Sequence, residues 1–181
     1  STEVIEIQAG GLNSFGPPGT GAVNLLTIDD VEAIERLSSV EEAIGRHLVT
    51  AKMEFNDALF IGIATDIPSG SKRDLTYEIM SIEPLEGRLL EDRDTNKVVL
   101  GNNFYFEDKG GFGKSVRVGN SVKINNKKYE VKGILKKKGS FIFDHIILLN
   151  EEELKSISDY GDTVDFIGVK IKNKELVDVA E

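Results

Sequence analysis

Cysteine is absent from the 181 residues. Disulfide frameworks and thiolate chemistry are therefore excluded, while the compartment stays open, because extracytoplasmic domains also fold without cysteines. Histidine is nearly as scarce. His47 and His145 are the only two, each lies in a stretch that reads as strand, and neither has a second His or Cys at ligand spacing, so no zinc site is expected. A serine nucleophile would need one of them as its base, and no Gly-x-Ser-x-Gly elbow occurs, which leaves both as structural histidines. No apolar run approaches the ~18 residues a spanning helix requires, and no charged-then-apolar leader opens the chain at Ser1. The segment is expected to be soluble by itself. Positive charge is also in deficit, with 22 Lys and Arg against 31 Asp and Glu and a net charge of −9. That balance repels a nucleic-acid backbone and an anionic membrane surface, so neither is expected as a partner. The one basic run, Lys136-Lys137-Lys138, reads as a solvated loop before Gly139.

What is present suffices for a folded domain or two small ones, since 40% of the residues are hydrophobic. Val4, Ile5 and Ile7 form a first strand, and the glycine-rich stretch from Ala9 to Gly21 a long loop. Thr27 with Asp30 resembles a capping box for a helix carrying Val31, Ile34 and Leu37 at helical spacing. Leu48 to Phe55 and Leu59 to Ile63 flank Asn56-Asp57 as a β-hairpin. Asp66 to Asp74 reads as a loop and Thr76 to Ile82 as a strand, with Asn103 to Phe106 open between helix and extended chain. Val122 to Ile124 and Tyr129 to Ile134 form a second hairpin around Asn125-Asn126. Phe141 to Leu149 is then a mostly apolar strand, Asn150 with Glu153 a second capping-box pattern, Phe166 to Ile171 a strand, and Glu175 to Glu181 the start of a helix. Both ends read as pieces continuing into something longer. The fold class is α+β: a discontinuous α/β subdomain, residues 1–46 and 137–181, with a β-rich subdomain inserted over 47–136.

The chemistry-bearing patterns are decoys. Gly16-Pro17-Pro18-Gly19-Thr20-Gly21 copies the front of a phosphate-binding loop, but Ala22 and Val23 follow where Lys and then Ser or Thr are required. Gly113-Lys114-Ser115 has Lys and Ser but Asp108 where the first Gly belongs. The acidic runs Glu91-Asp92-Arg93-Asp94 and Glu151-Glu152-Glu153 lack the alternating oxygen spacing of a calcium loop, and charge at a helix N-terminus explains the second. No catalytic, cofactor-binding or metal residue is assigned. The clearest signature is structural: Gly87, supplying a positive-φ turn, Arg88, forking onto Asp92 or Asp94, and the glycines Gly101, Gly119 and Gly133.

These pieces occur in a fixed order: Val4-Ile5-Glu6-Ile7 before a glycine-rich loop, Leu26 to Ile34 before Val40, Gly87-Arg88, Val98-Val99-Leu100-Gly101, Val118-Gly119, and the hairpin from Ile124-Asn125 to Val131-Lys132-Gly133-Ile134-Leu135. In that order the chain resembles the MacB-like periplasmic core domain, the extracytoplasmic part of permeases of the MacB, LolC/LolE and FtsX group. The resemblance implies a porter-like subdomain built from both termini with a sabre-like β-rich insertion, standing outside the membrane between two membrane helices. It implies no enzyme activity and no cofactor. Its implied partners are a second copy of the permease, an ABC ATPase subunit or domain, and an adaptor protein, with ATP-driven motion transmitted for export or extraction of a substrate. The alternative reading is a free-standing extracytoplasmic ligand- or peptide-binding module, which needs a pocket with convergent polar groups. The loop from Gly10 to Gly21 has no fixed counterpart in the family.

Overall fold

The computed structural model describes residues 3–8 and 25–172. The glycine-rich loop and the final helix expected from the sequence lie outside them. In chain order the elements are β1 (Val4–Gln8), β2 (Leu26–Thr27), α1 (Ile28–Glu35), β3 (Val40–Arg46), β4 (Leu48–Phe55), β5 (Ala58–Ile67), α2 (Ser71–Met80), β6 (Pro84–Gly87) and β7 (Lys97–Leu100). A 3-10 turn, Asn102–Tyr105, leads to β8 (Ser121–Ile124) and β9 (Lys127–Leu135). Then come α3 (Phe141–Asp144), β10 (Ile147–Asn150), α4 (Glu151–Ile157), β11 (Thr163–Val164) and β12 (Phe166–Ile171). Two compact units result, one from Ser1–Leu48 with Tyr160–Glu181, the other from Val49–Asp159.

In the first unit β12 is central, antiparallel to β1 on one side and β3 on the other. Alternation puts Ile5 and Ile7 of β1, Ala43 of β3, and Ile167 and Val169 of β12 on one face. Val31 and Ile34 of α1 pack with the buried residues of that face. The Asp30 carboxylate accepts the Thr27 main-chain N–H at 2.8 Å, one half of the expected capping box. Because β1 and β12 run antiparallel, Val4 sits opposite Lys170, and the Ile171 N–H donates to Glu3 O at 3.1 Å. The described start and end of the chain thus lie side by side.

The second unit is a sheet in the order β6-β9-β7-β10-β5-β4-β8, and β8 pairs again with β9. That last pairing closes six strands into a ring, leaving β6 as an extra strand on β9. Both hairpin turns, Asn56-Asp57 and Asn125-Asn126, have positive φ at both central residues, as a two-residue turn matched to strand twist requires. Along β10, Ile147 and Leu149 are buried on one face. Leu148, on the other, joins Ile67, Leu90, Val99 and Leu135 in an apolar cluster that Tyr77 and Met80 of α2 pack against.

Four expectations are corrected. Of the expected loop 66–74 only residues 68–70 are irregular: Asp66 and Ile67 end β5, and Ser71–Met80 is helix α2, which also replaces the expected strand 76–82, because Tyr77 and Met80, at helical spacing, both reach the apolar cluster. Phe141 to Leu149 is not one strand. Ser140 Oγ accepts from the Phe143 N–H, and the Asp144 carboxylate accepts from the Lys138 and Gly139 N–H groups, so a helical turn forms and β10 begins only at Ile147. Asn150 makes no side-chain cap; Glu153 reaches away to Asn96 instead. The chain returns to the first unit at residue 160 rather than 137, because β10 is held inside the ring between β5 and β7. The Val40–Arg46 strand had no element assigned to it.

Candidate functional site

Four of the five residues singled out from the sequence, Gly87, Arg88, Gly119 and Gly133, converge on one edge of β9. Its far edge pairs in parallel with β7, and its near edge is shared by three segments. β8 covers Lys127 to Glu130. Gly119 donates its N–H to Val131 O, and the Val131 N–H donates to Asn120 O, both at 2.9 Å. β6 then covers Gly133 to Leu135. Gly87 and Gly133 stand directly opposite each other in that last pairing. Gly87 has φ +72°, and a Cβ there would overlap Lys132 O; a Cβ on Gly133 would overlap Arg88 O. Only hydrogen lets these two backbones approach so closely. Gly101 meets the same constraint elsewhere, since a Cβ would lie 2.5 Å from the Asp144 carbonyl. Gly119, at φ +91°, has open space around it, so its requirement is conformational alone.

Past Gly87 the chain enters a hub of ion pairs. The Arg88 guanidinium forks onto Asp94, with Nη1 donating to Oδ2 at 2.7 Å and Nη2 to Oδ1 at 2.8 Å. Asp94 Oδ2 also accepts the Glu91 N–H at 2.8 Å. The Asp94 side chain is 6% exposed and that of Arg88 37%. Hydrogen bonding from Arg88 outweighs the upward push of burial and holds the Asp94 carboxyl down to about 2. Asp92 belongs to a different pair. It accepts Arg73 Nε at 2.7 Å and the Gly70 N–H at the start of α2, and the hydrogen bond from Arg73 lowers its pKa. Arg73 Nη1 and the Tyr77 hydroxyl both donate to Leu90 O, and Asn150 Nδ2 donates to Glu91 O and Asp94 O. The segment from Arg88 to Asp94 is thereby tied to α2, to β10 and to itself. Glu86 extends the hub, accepting from Arg117 Nε and the Val118 N–H at 2.9 Å each. Glu130 lies between Lys97 and Lys132, and their hydrogen bonds take its carboxyl to about 2.

Elsewhere the decoys are accounted for by ordinary contacts. Gly111 and Gly113 turn with positive φ, and the Ser115 hydroxyl donates to Tyr105 O. Buried His145 has its two ring nitrogens against the carbonyls of Phe141 and Lys109 and stacks on Phe60, 5.0 Å between centroids. His47 stacks on Tyr160, its Nε2 lying 2.7 Å from Thr163 O. No group of three metal-ligating side chains occurs among the described residues. The Gly16 to Val23 stretch lies outside them.

Sequence reasoning missed Arg73 and Tyr77, and it read Asn150 with Glu153 as a helix cap, where the structure bonds them to the chain between Glu91 and Asn96. The Arg73–Tyr77 spacing of four was the legible clue to a helix face. Glu153 offered none, because its carboxylate reaches the Asn96 N–H at 2.8 Å and Lys127 Nζ at 2.9 Å, both distant in sequence.

The model of the MacB-like periplasmic core domain matches residues 1–181. An uncharacterized ABC transporter permease of Methanocaldococcus jannaschii is 28% identical over 165 residues, which is 91% of this chain and 39% of that protein. The chain thus spans well under half of that relative. The periplasmic region of MacB from Actinobacillus actinomycetemcomitans superposes with a TM-score of 0.66 at 16% identity, covering 98% of this chain and 79% of that one. The extracellular domain of the ABC-type transporter YknZ from Gram-positive bacteria gives 0.62 at 16% identity, covering 86% and 78%. At such identities the likeness is one of mixed α/β fold.

Proposed function

The chain belongs to the MacB-like periplasmic core domain family, and from that premise we propose that it is the extracytoplasmic lever of an ABC transporter permease. In this reading it transmits ATP-driven conformational change for export or extraction of a substrate, and performs no chemistry itself. The first unit is the porter-like part and the ring of strands the sabre-like insertion. Hydrolysis belongs to a separate ATPase domain or subunit, and a second copy of the permease and an adaptor complete the assembly. No described helix is long and apolar enough to cross a membrane. The observation that carries the reading is the pairing of β1 with β12. It puts Glu3 beside Ile171, so the first described strand begins where the last one ends. Two membrane helices attached there would move the unit as one body, and rigid-body motion is the kind such a domain can relay.

Two cysteines introduced on surfaces that face each other across the paired copies test it, cleanly because the chain has none of its own. Oxidation of the full transporter should stop export, and reduction should restore it. Export at full rate with the copies locked would leave a passive platform as the better account.

A further inference from the structure

The ring has a gap in its ladder. β4 and β8 pair only at Met53 with Ile124 and Glu54 with Lys123, while the Asn125 N–H donates to Lys52 O at 2.9 Å. Continued by two residues, the register would place Asn56 opposite Ser121. Asn56 instead turns away at φ 51°, and its Nδ2 donates to Phe112 O. Alternate residues of an antiparallel strand direct their N–H and C=O to the same side. Those of Asn125 and Lys123 face β4, so those of Ser121 face it too and meet no strand there among the described residues.

An open groove of about 700 Å³ lies at this gap, between the tip of the β4–β5 hairpin, the loop carrying Lys114, and β8. Its apolar wall is the half-buried Phe55 and Leu59, the latter 53% exposed. Lys114, Lys123 and Lys128 line it, and none of the three is held in an ion pair among the described residues. Lys114 Nζ lies 5.9 Å from the Phe55 ring centroid. Glu54 and Asp57 are the acids of the lining. Lys123 and Lys128 stand directly opposite across β8 and β9, a like-charge pairing that works against the sheet. Three lysines thus face two acids, one of them Glu54 opposite Lys123 across β4 and β8, in a chain of net charge −9; Lys97 and Lys132, by contrast, share Glu130.

We propose that the groove binds an extended, carboxylate-bearing peptide segment of a partner protein. The segment adds itself at the β8 edge through the Ser121 N–H and C=O, sets its acidic side chains against Lys123 and Lys128, and rests its apolar ones, which alternation turns to the other face, on Phe55. Edge addition supplies main-chain hydrogen bonds, and alternate side chains supply specificity. A free inorganic anion would use the lysines and leave the Ser121 main chain and the apolar wall without a role. The lever reading does not depend on this groove.

The test is titration of the 181-residue protein with fluorescein-labelled Glu-Val-Glu-Val-Glu-Val, read by anisotropy, against the Lys-Val counterpart. The acidic peptide should bind and the basic one should not. K123E/K128E, both exposed positions, should weaken binding at least tenfold, as should Ser121→Pro, which removes the groove-facing N–H while leaving the β9 ladder paired. Circular dichroism checks that each variant is folded, and Ser121→Ala, keeping the main chain, should bind as wild type. Equal binding of both peptides, or wild-type affinity in K123E/K128E, overturns the proposal. Displacement of the peptide by equimolar inorganic phosphate overturns it too, in favour of a simple anion site.

Discussion

Removing the Arg88 guanidinium tests whether the hub beside β9 holds the fold. Arg88→Ala leaves the Asp94 carboxylate 6% exposed with the Glu91 N–H as its remaining donor. The fall of the Asp94 carboxyl from 3.8 to about 2 corresponds to about 2.4 kcal/mol at 1.36 kcal/mol per unit. Arg88 is 37% exposed, so solvent screens part of the interaction and the expected loss is about 1–2 kcal/mol. At about 2–4 °C per kcal/mol for a chain of this size, the Tm should fall by about 2–8 °C. The pH dependence has a definite sign. A carboxylate whose folded pKa is depressed stabilises fully above its unfolded value, and that contribution is lost as pH falls through the folded one. The gap between wild type and Arg88→Ala should therefore be full at pH 7 and narrow as pH drops from about 4 toward about 2. Thermal melts followed by circular dichroism at pH 7 and near pH 3 measure both. Arg88→Lys, which keeps the charge but cannot fork, should lose less than Arg88→Ala. An Arg88→Ala melt indistinguishable from wild type at pH 7, or a gap that does not change with pH, would refute the argument.

The glycines should divide into two classes by urea denaturation. Gly87→Ala and Gly133→Ala, whose new Cβ atoms overlap backbone carbonyls, should each lose about 2–4 kcal/mol, whereas Gly119→Ala, strained in φ but with open space around it, should lose about 1 kcal/mol. Glu153→Gln should lose about 1–2 kcal/mol in the same assay, because burial raises the carboxyl pKa and the Asn96 N–H and Lys127 ammonium together bring it below its ordinary value. Calorimetric titration with Mg-ATP should show no saturable binding, since Ala22 and Val23 occupy the positions where a phosphate-binding loop needs Lys and a hydroxyl.

How legible these features were depended on the range of the interaction involved. The two hairpins stood out because Asn56-Asp57 and Asn125-Asn126 are local signals that no tertiary contact needs to supply. The Gly87 turn was readable for the same reason, and the partner of Arg88 could be narrowed to two acids within six residues. Choosing between them is beyond the sequence, since Asp92 is taken by Arg73 of α2, a segment whose local signals are those of loop and strand. There Pro68, Ser69 and Gly70 are strong turn signals, and Thr76 and Ile79 favour strand; packing against Leu90, Val99 and Leu148 overrode both. The boundary at 160 was hidden by a parallel pairing between residues 64–67 and 147–150, a contact over eighty residues long in sequence that leaves no local trace. Closure of the ring by β8 was equally silent, because alternation specifies which face of a strand is buried and says nothing about which strand lies beside it.

β9 explains why small residues and a single ion pair carry so much of the pattern. One edge of this strand is covered by β7 and the other by three separate pieces of chain, so its main chain is bonded along almost its whole length. In the proposed lever reading, displacement passes through the domain without local opening, and opening begins where backbone groups can exchange protein partners for water. The joins between the three pieces on the near edge are where such exchange would start. Those joins hold Gly119, the opposed Gly87 and Gly133, and Glu86 bonded to Arg117 and Val118. Just beyond them Arg88 and Asp94 fasten the outgoing chain. Glycine permits the close approach that lets each piece reach β9, and the charged pairs keep the pieces from peeling away. Variants at these joins should therefore raise amide exchange along Val131 to Leu135 before they lower the global melting temperature.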